Sequence, residues 1–117
     1  MRRRALAERD GRRGEALAAW YLRLTGWRIL AQRARTPRGE VDLIARRGRV
    51  LAFVEVKWRR SAAELGLAID RRRLTRVCAA AEVLAPRYLR PGDSVRIDAI
   101  LLAPRHWPRH IANASLA

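Results

Sequence analysis

The stretch Val50 to Trp58, Val-Leu-Ala-Phe-Val-Glu-Val-Lys-Trp, constrains this chain more than any other. Strand alternation puts Leu51, Phe53, Glu55 and Lys57 on one face and Val50, Ala52, Val54 and Val56 on the other. Both faces begin apolar, so the strand belongs at the centre of a sheet that is covered on both sides. Its last turn-facing positions then carry a carboxylate and an ammonium, which are costly at the end of a buried strand unless partnered.

The neighbouring elements follow from periodicity. Leu17, Trp20, Tyr21 and Leu24 recur at helical spacing and predict a first helix, starting at Ala5 or Gly14, with Gly26 as its cap. Trp27 to Arg33 reads as a strand, Thr36 to Gly39 as a turn, and Glu40 to Arg46 and Arg49 to Trp58 as a hairpin around Gly48. Ser61 to Ile69 is a connection, and Asp70 can cap a second helix from Arg71 to about Ala85, ended by Pro86. Its buried stripe is Leu74, Val77, Cys78, Ala81 and Leu84 or Ala85. Val95 to Leu102 is a buried strand, and a short edge strand can form near His110 to Asn113. The order is α, β, β, β, α, β, and the helical crossover predicts parallel pairing of the third and fourth strands.

A chain of 117 residues without repeat or low-complexity linker is expected to form one domain over 1–117, with 1–10 able to stay flexible and 104–117 as an extension. The formal charge is +15, and 25 of the 26 basic residues are arginine. That balance calls for a polyanionic partner, nucleic acid before a membrane surface. No basic amphipathic helix with an exposed apolar face and no long apolar run is visible, so membrane attachment is not expected and a cytoplasmic location is. The one cysteine, Cys78, allows neither an intrachain disulfide nor a cysteine zinc site. His106 and His110 are separated by Trp107, Pro108 and Arg109, which denies them helical ligand spacing. Asp98 reads as a hydrogen-bonding strand residue.

The single lysine, Lys57, stands two residues after Glu55. If Arg47-Gly48 is the two-residue loop, Arg46 pairs with Arg49, Asp42 faces Phe53 and Glu40 faces Glu55. Asp42 and Glu55 then become diagonal neighbours about 7–8 Å apart, close enough to converge on one ion. A hard divalent cation such as Mg²⁺ suits two carboxylates with waters and phosphate oxygens. Lysine suits the place beside it, being a compact point charge on a flexible stem with a movable pKa. Glu15, at the edge of the first helix's apolar face, can add a third carboxylate or remain a solvated helix acid. The alternative to such a site is a strand-end lysine paired with Glu55.

Gly11 to Leu22 (GRRGEALAAWYL), Gly39 to Ala45 (GEVDLIA), Phe53 to Arg59 (FVEVKWR), Val95 to Leu102 (VRIDAILL) and His110 to Ala114 (HIANA) resemble the YraN-like family. These are small bacterial proteins related to Holliday-junction resolvases within the restriction-endonuclease-like, PD-(D/E)XK superfamily. The resemblance implies an α/β fold with a restriction-endonuclease-like αβββαβ core, a mixed central sheet flanked by helices. It implies an Mg²⁺- or Mn²⁺-dependent phosphodiesterase acting on DNA, with Asp42, Glu55 and Lys57 as its acidic and E-x-K residues. Glu15 matches the first-helix glutamate and the carbonyl of Val56 a further metal ligand. Arg71, Arg72 and Arg73 stand where the family often has Lys or Gln, and the aromatic that usually follows Asn-Ala is missing.

Arg12, Arg13, Arg46, Arg47, Arg59, Arg60 and Arg71 to Arg73 are the expected phosphate contacts, and a two-fold homodimer follows by analogy with resolvases. The competing reading is a non-catalytic DNA- or RNA-binding module on the same fold.

Overall fold

The structure, a computed structural model, describes residues 2–61 and 71–114, with side chains from residue 12 onward. The Asp70 cap and the connection from 62 to 69 lie outside the described residues. The elements are α1 (Arg2–Leu24), β1 (Arg28–Thr36), β2 (Gly39–Arg47), β3 (Val50–Trp58), α2 (Arg71–Tyr88), β4 (Ser94–Leu102) and β5 (Arg109–Ile111). The five strands lie in the order β1-β2-β3-β4-β5, antiparallel except for the parallel β3–β4 pair. This is the expected αβββαβ core in a mixed sheet, with β5 added at the edge. Among the described residues, no helix is long and apolar enough to cross a membrane.

β3 is central, as its two apolar faces require. Leu51 and Phe53 pack with Leu74, Val77, Ala81 and Leu84 of α2. Ala52 and Val54 pack with Ala18, Ala19 and Leu22 of α1. One helix therefore closes each face of the sheet, and all of these side chains are removed from water.

Three expectations are corrected. Of the expected inner stripe of α1, Leu17, Trp20, Tyr21 and Leu24, only Tyr21 packs against the core, half-buried. Gly14, Ala18, Ala19 and Leu22 face the sheet, with Gly14 against the Trp58 ring, whereas Leu17, Trp20 and Leu24 are 45%, 48% and 61% exposed. Small residues let the helix axis approach the sheet closely, and the larger stripe is left outside, so α1 is, against the expectation, a basic helix with an exposed apolar face. The helix is also continuous through Asp10-Gly11.

α2 does not stop at Pro86 but runs to Tyr88. A proline in the last turn removes one intrahelical donor only, and Leu89 N–H still reaches Ala85 O at 2.8 Å.

The third correction is the hairpin register. Arg47 pairs with Val50, Arg46 with Leu51 and Leu43 with Val54. The loop is Gly48-Arg49, and Gly48 (φ 59°) takes the first central position, where type II′ turns favour glycine. The shift from the expected pairing is two residues. A shift of two preserves every side chain's face, so Asp42 and Glu55 stay together and become direct neighbours in place of diagonal ones.

Candidate metal and phosphate site

The site forms where β2 and β3 part. Their pairing ends at Leu43 and Val54, and beyond that pair stand Asp42 on one strand and Glu55, Val56 and Lys57 on the other. The carboxylate of Asp42 turns into the gap, and its Oδ2 accepts the Val56 backbone N–H at 2.7 Å. The side chain thus supplies a ladder bond that the diverging strand cannot. The N–H and C=O of one strand residue point to the same side, so the Val56 carbonyl opens toward Asp42 as well.

α2 stands over this gap because β2 begins at Gly39. A Cβ at Gly39 would collide with the Arg76 carbonyl oxygen. The close approach brings Arg73 Nη1 to 3.4 Å from Glu55 Oε1. A cleft of about 460 Å³ results, with Asp42 and Glu40 from β2, Glu55, Val56, Lys57 and Trp58 from β3, Arg73, Arg76 and Val77 from α2, and Glu15 from α1.

The electrostatics of the cleft are those of two neighbouring carboxyls that are partly withdrawn from water and oppose each other's ionisation. Burial, then the neighbouring charge of Asp42, pushes the Glu55 carboxyl up to about 7. Burial also raises Asp42, against the Val56 N–H, which favours its ionised form. A proton on Glu55 is donated to the Asp42 carboxylate. Lys57 is lowered, first by burial and then by the charges of Arg73 and Arg59.

A hard divalent cation fits this donor set. The gap offers two carboxylates and a backbone carbonyl, all oxygen, and among the described residues the lining contains neither cysteine nor histidine. Each carboxyl opposes the ionisation of the other, and a cation between them would relieve that opposition. Among the described residues no group of three His, Cys, Asp or Glu side chains gathers as a metal cage. Glu15 lines the cleft, but its Oε2 is held by Arg33 Nε at 2.6 Å.

Arg33 was not foreseen. It sits in β1 with φ 51°, at the position where the ladder to β2 skips Asp42, and this conformation leaves no mark in the residue pattern. The expected phosphate contacts divide into two groups. Arg12, Arg13, Arg60 and Arg71 to Arg73 are exposed, with Arg73 in the cleft, and Arg59 is half-buried just after β3.

Arg46 and Arg47 lie instead at the hairpin end, away from the cleft. The expectation for Arg46 is corrected: it is buried, with Nη1 on Asp93 at 2.8 Å and Nη2 donating to Tyr88 O at 2.6 Å. Arg47 lies over the Trp27 ring at 4.8 Å and donates to Thr25 O at 3.2 Å.

Asp98 bonds within the fold, as its strand position suggested. It is fully buried and accepts Arg96 Nε (3.1 Å) and Nη2 (2.7 Å), His110 Nε2 (2.7 Å) and Asn113 N–H (3.0 Å). Together these bonds tie β5 and the residues after it to β4.

A mixed five-stranded sheet with a helix on each face, splayed beside its central strand, is the fold of a known class of proteins. The chain is similar to Hjc, a Holliday junction resolvase from Archaeoglobus fulgidus, with a TM-score of 0.62 over 86% of this chain and 73% of that one at 20% identity. It belongs to uncharacterised protein family UPF0102, whose profile matches residues 14–102, and this is the YraN-like family of the motif resemblance. Relatives described as UPF0102 proteins include one from Sphingopyxis alaskensis, 66% identical over 94% of this chain and 95% of its own length. Another, from Erythrobacter litoralis, is 62% identical over 96% of this chain and 97% of its own length.

Proposed function

We propose that this chain is a divalent-metal-dependent nuclease-like protein that hydrolyses phosphodiester bonds in nucleic acid, DNA in particular. The observation that carries the proposal is Asp42, fixed by the Val56 N–H beside Glu55, in a cleft that also presents Lys57 and Arg73. Asp42, Glu55 and the Val56 carbonyl would hold Mg²⁺ or Mn²⁺, which when bound supplies Lewis-acid polarisation of a phosphoryl oxygen.

The chain's own groups do the rest. Lys57 directs its ammonium at the attacked phosphate or at the water beside it, where charge develops. Its lowered pKa lets it pass a proton more readily than an ordinary lysine. Arg73, about half exposed, can turn from Glu55 to a phosphate oxygen once that carboxylate is engaged. The exposed Arg12, Arg13, Arg60, Arg71 and Arg72 would hold flanking phosphates, with Arg59 close behind Lys57. The fold neighbour is described as a Holliday junction resolvase, which makes branched DNA the first substrate to try and a two-fold homodimer the first assembly to look for.

One observation favours the second reading, a module that binds without cutting: Glu15 is engaged by Arg33 instead of joining the carboxylate pair. Titration calorimetry with Mn²⁺ and Mg²⁺, followed by cleavage assays on branched and linear DNA, separates the two. The nuclease reading expects binding and cleavage that are lost together in Asp42→Ala. Nucleic-acid binding that is indifferent to Asp42, with no cleavage, leaves the module.

A further inference from the structure

α1 carries two apolar stripes, and the fold uses only one. The outer stripe, Leu17, Trp20 and Leu24, is met at its middle by Trp107, which is 73% exposed. The Trp20 and Trp107 rings are parallel to within 4°, with centroids 6.4 Å apart. That separation exceeds a face-to-face contact distance, so the rings overlap in an offset step and the outer surface of Trp107 stays open.

The loop presents this ring firmly. Pro104 and Pro108 bracket it, and His106 N–H closes a turn onto Ala103 O at 3.3 Å. With Leu17, Trp20 and Leu24 beside it, the ring is part of an exposed apolar patch rimmed by arginine, the kind that marks an interaction surface.

The charge around it points to the occupant. Arg13 and Arg23 are exposed on the same helix, and Arg105 is exposed beside Trp107. Among residues 12–24 of α1 the only acid is Glu15, which is on the cleft side and already paired with Arg33. Two copies of a +15 chain meeting here would oppose arginine to arginine. A polyanion with exposed flat rings meets both the charge and the aromatic step.

The step is also near the cleft. Gly14, one residue before Glu15, packs against the Trp58 ring, and both Glu15 and Trp58 line the cleft, so this end of α1 stands at its rim. Trp107 itself follows β4, whose last residue, Leu102, pairs with Trp58, one residue beyond Lys57.

We propose that the Trp107–Trp20 step is a stacking platform for an unpaired base, so that the nucleic acid taken by this chain has a single-stranded segment next to the cleft. The inference rests on the nucleic-acid reading above and specifies its substrate class. Aromatic faces accept any base, which suits a platform that follows structure rather than sequence.

Fluorescence anisotropy of a labelled oligothymidine and of a blunt duplex of equal length, both in EDTA, tests it. Wild type should bind the single strand, Trp107→Ala should weaken that binding at least about fivefold, and Trp107→Phe should restore most of it. Duplex affinity should stay within about twofold, since no base is open there to stack. Equal single-strand affinity in wild type and Trp107→Ala overturns the platform while leaving the nuclease reading standing. An equal loss on duplex overturns it as well. Wild type that binds neither nucleic acid removes both readings together. A sedimentation profile in which wild type is dimeric and Trp107→Ala monomeric assigns the face to a second copy and likewise overturns the proposal.

Discussion

Asp42 Oδ2 accepts the backbone N–H of Val56 at 2.7 Å, across the point where their two strands separate. The bond fixes one carboxylate against the strand that carries Glu55 and Lys57, so the acidic pair is set by the backbone and not by side-chain packing alone. Asp42→Ala should therefore abolish metal-dependent cleavage, by more than the about 10–100-fold typical of residues one shell further out. A cleavage time course in Mn²⁺ with wild type and variant checks it, and residual activity within about tenfold would remove Asp42 from the site.

Glu55 is held above its unfolded pKa, to about 7. A carboxyl raised on folding stabilises the fold while protonated and opposes it once ionised, so stability should fall as pH rises from about 4.5 through 7. Glu55→Gln keeps the donor to Asp42 without the charge. In EDTA it should melt above wild type at pH 8 and level with it at pH 4. Thermal melts at the two pH values decide this, and a variant that melts lower at pH 8 contradicts the strained pair.

Divalent cations should reverse that strain. At a concentration about 100 times Kd, a ligand specific to the fold adds about 2.7 kcal/mol of stability. Mn²⁺ should accordingly raise the Tm of wild type and leave that of Asp42→Ala unchanged. Equal shifts in both proteins would put the ion elsewhere.

Lys57 should not be replaceable by arginine. The planar guanidinium is larger and does not give up a proton. Lys57→Arg should lose cleavage nearly as completely as Lys57→Ala, while affinity for DNA, read by anisotropy in EDTA, stays within about twofold of wild type because one cation among 26 is exchanged for another. Full activity in Lys57→Arg would reduce Lys57 to a charge.

Asp98 should govern acid stability. It is lowered to about 2 by His110, Arg96 and the Asn113 N–H, against the opposing effect of its burial. A carboxyl depressed on folding contributes stability above its unfolded pKa, and that contribution disappears as pH falls from about 4 through 2. Asp98→Asn takes the buried carboxylate away from the half-buried Arg96 guanidinium and should cost about 3–5 kcal/mol at pH 7. Urea titrations at pH 7 and pH 3 should show the gap between the two proteins narrowing in acid. A gap of constant width would mean that Asp98 acts through packing alone.

Much of the arrangement was legible along the chain. Period-two alternation made β3 central and put Glu55 and Lys57 on one face. The helical crossover required a parallel β3–β4 pair. The hairpin register came out two residues away because Gly48 can serve either central turn position and only packing chooses between them. Since the shift was even, the acidic pair survived it. The stripe on α1 was misassigned because apolar residues repeat at helical spacing on both of its sides, and periodicity alone does not say which side meets the sheet.

What the sequence by itself determined is therefore the order of elements, the central strand and the chemistry Glu55 and Lys57 bring to its end. These are consequences of local spacing, which a chain carries with it into any fold. The tertiary structure decided how close α1 lies, burying Gly14, Ala18 and Ala19 and leaving Trp20 outside to meet Trp107. It also engaged Glu15 with Arg33 and Arg46 with Asp93. Those pairings join residues far apart in the chain, and they follow from the packing distance between layers, which no local pattern encodes.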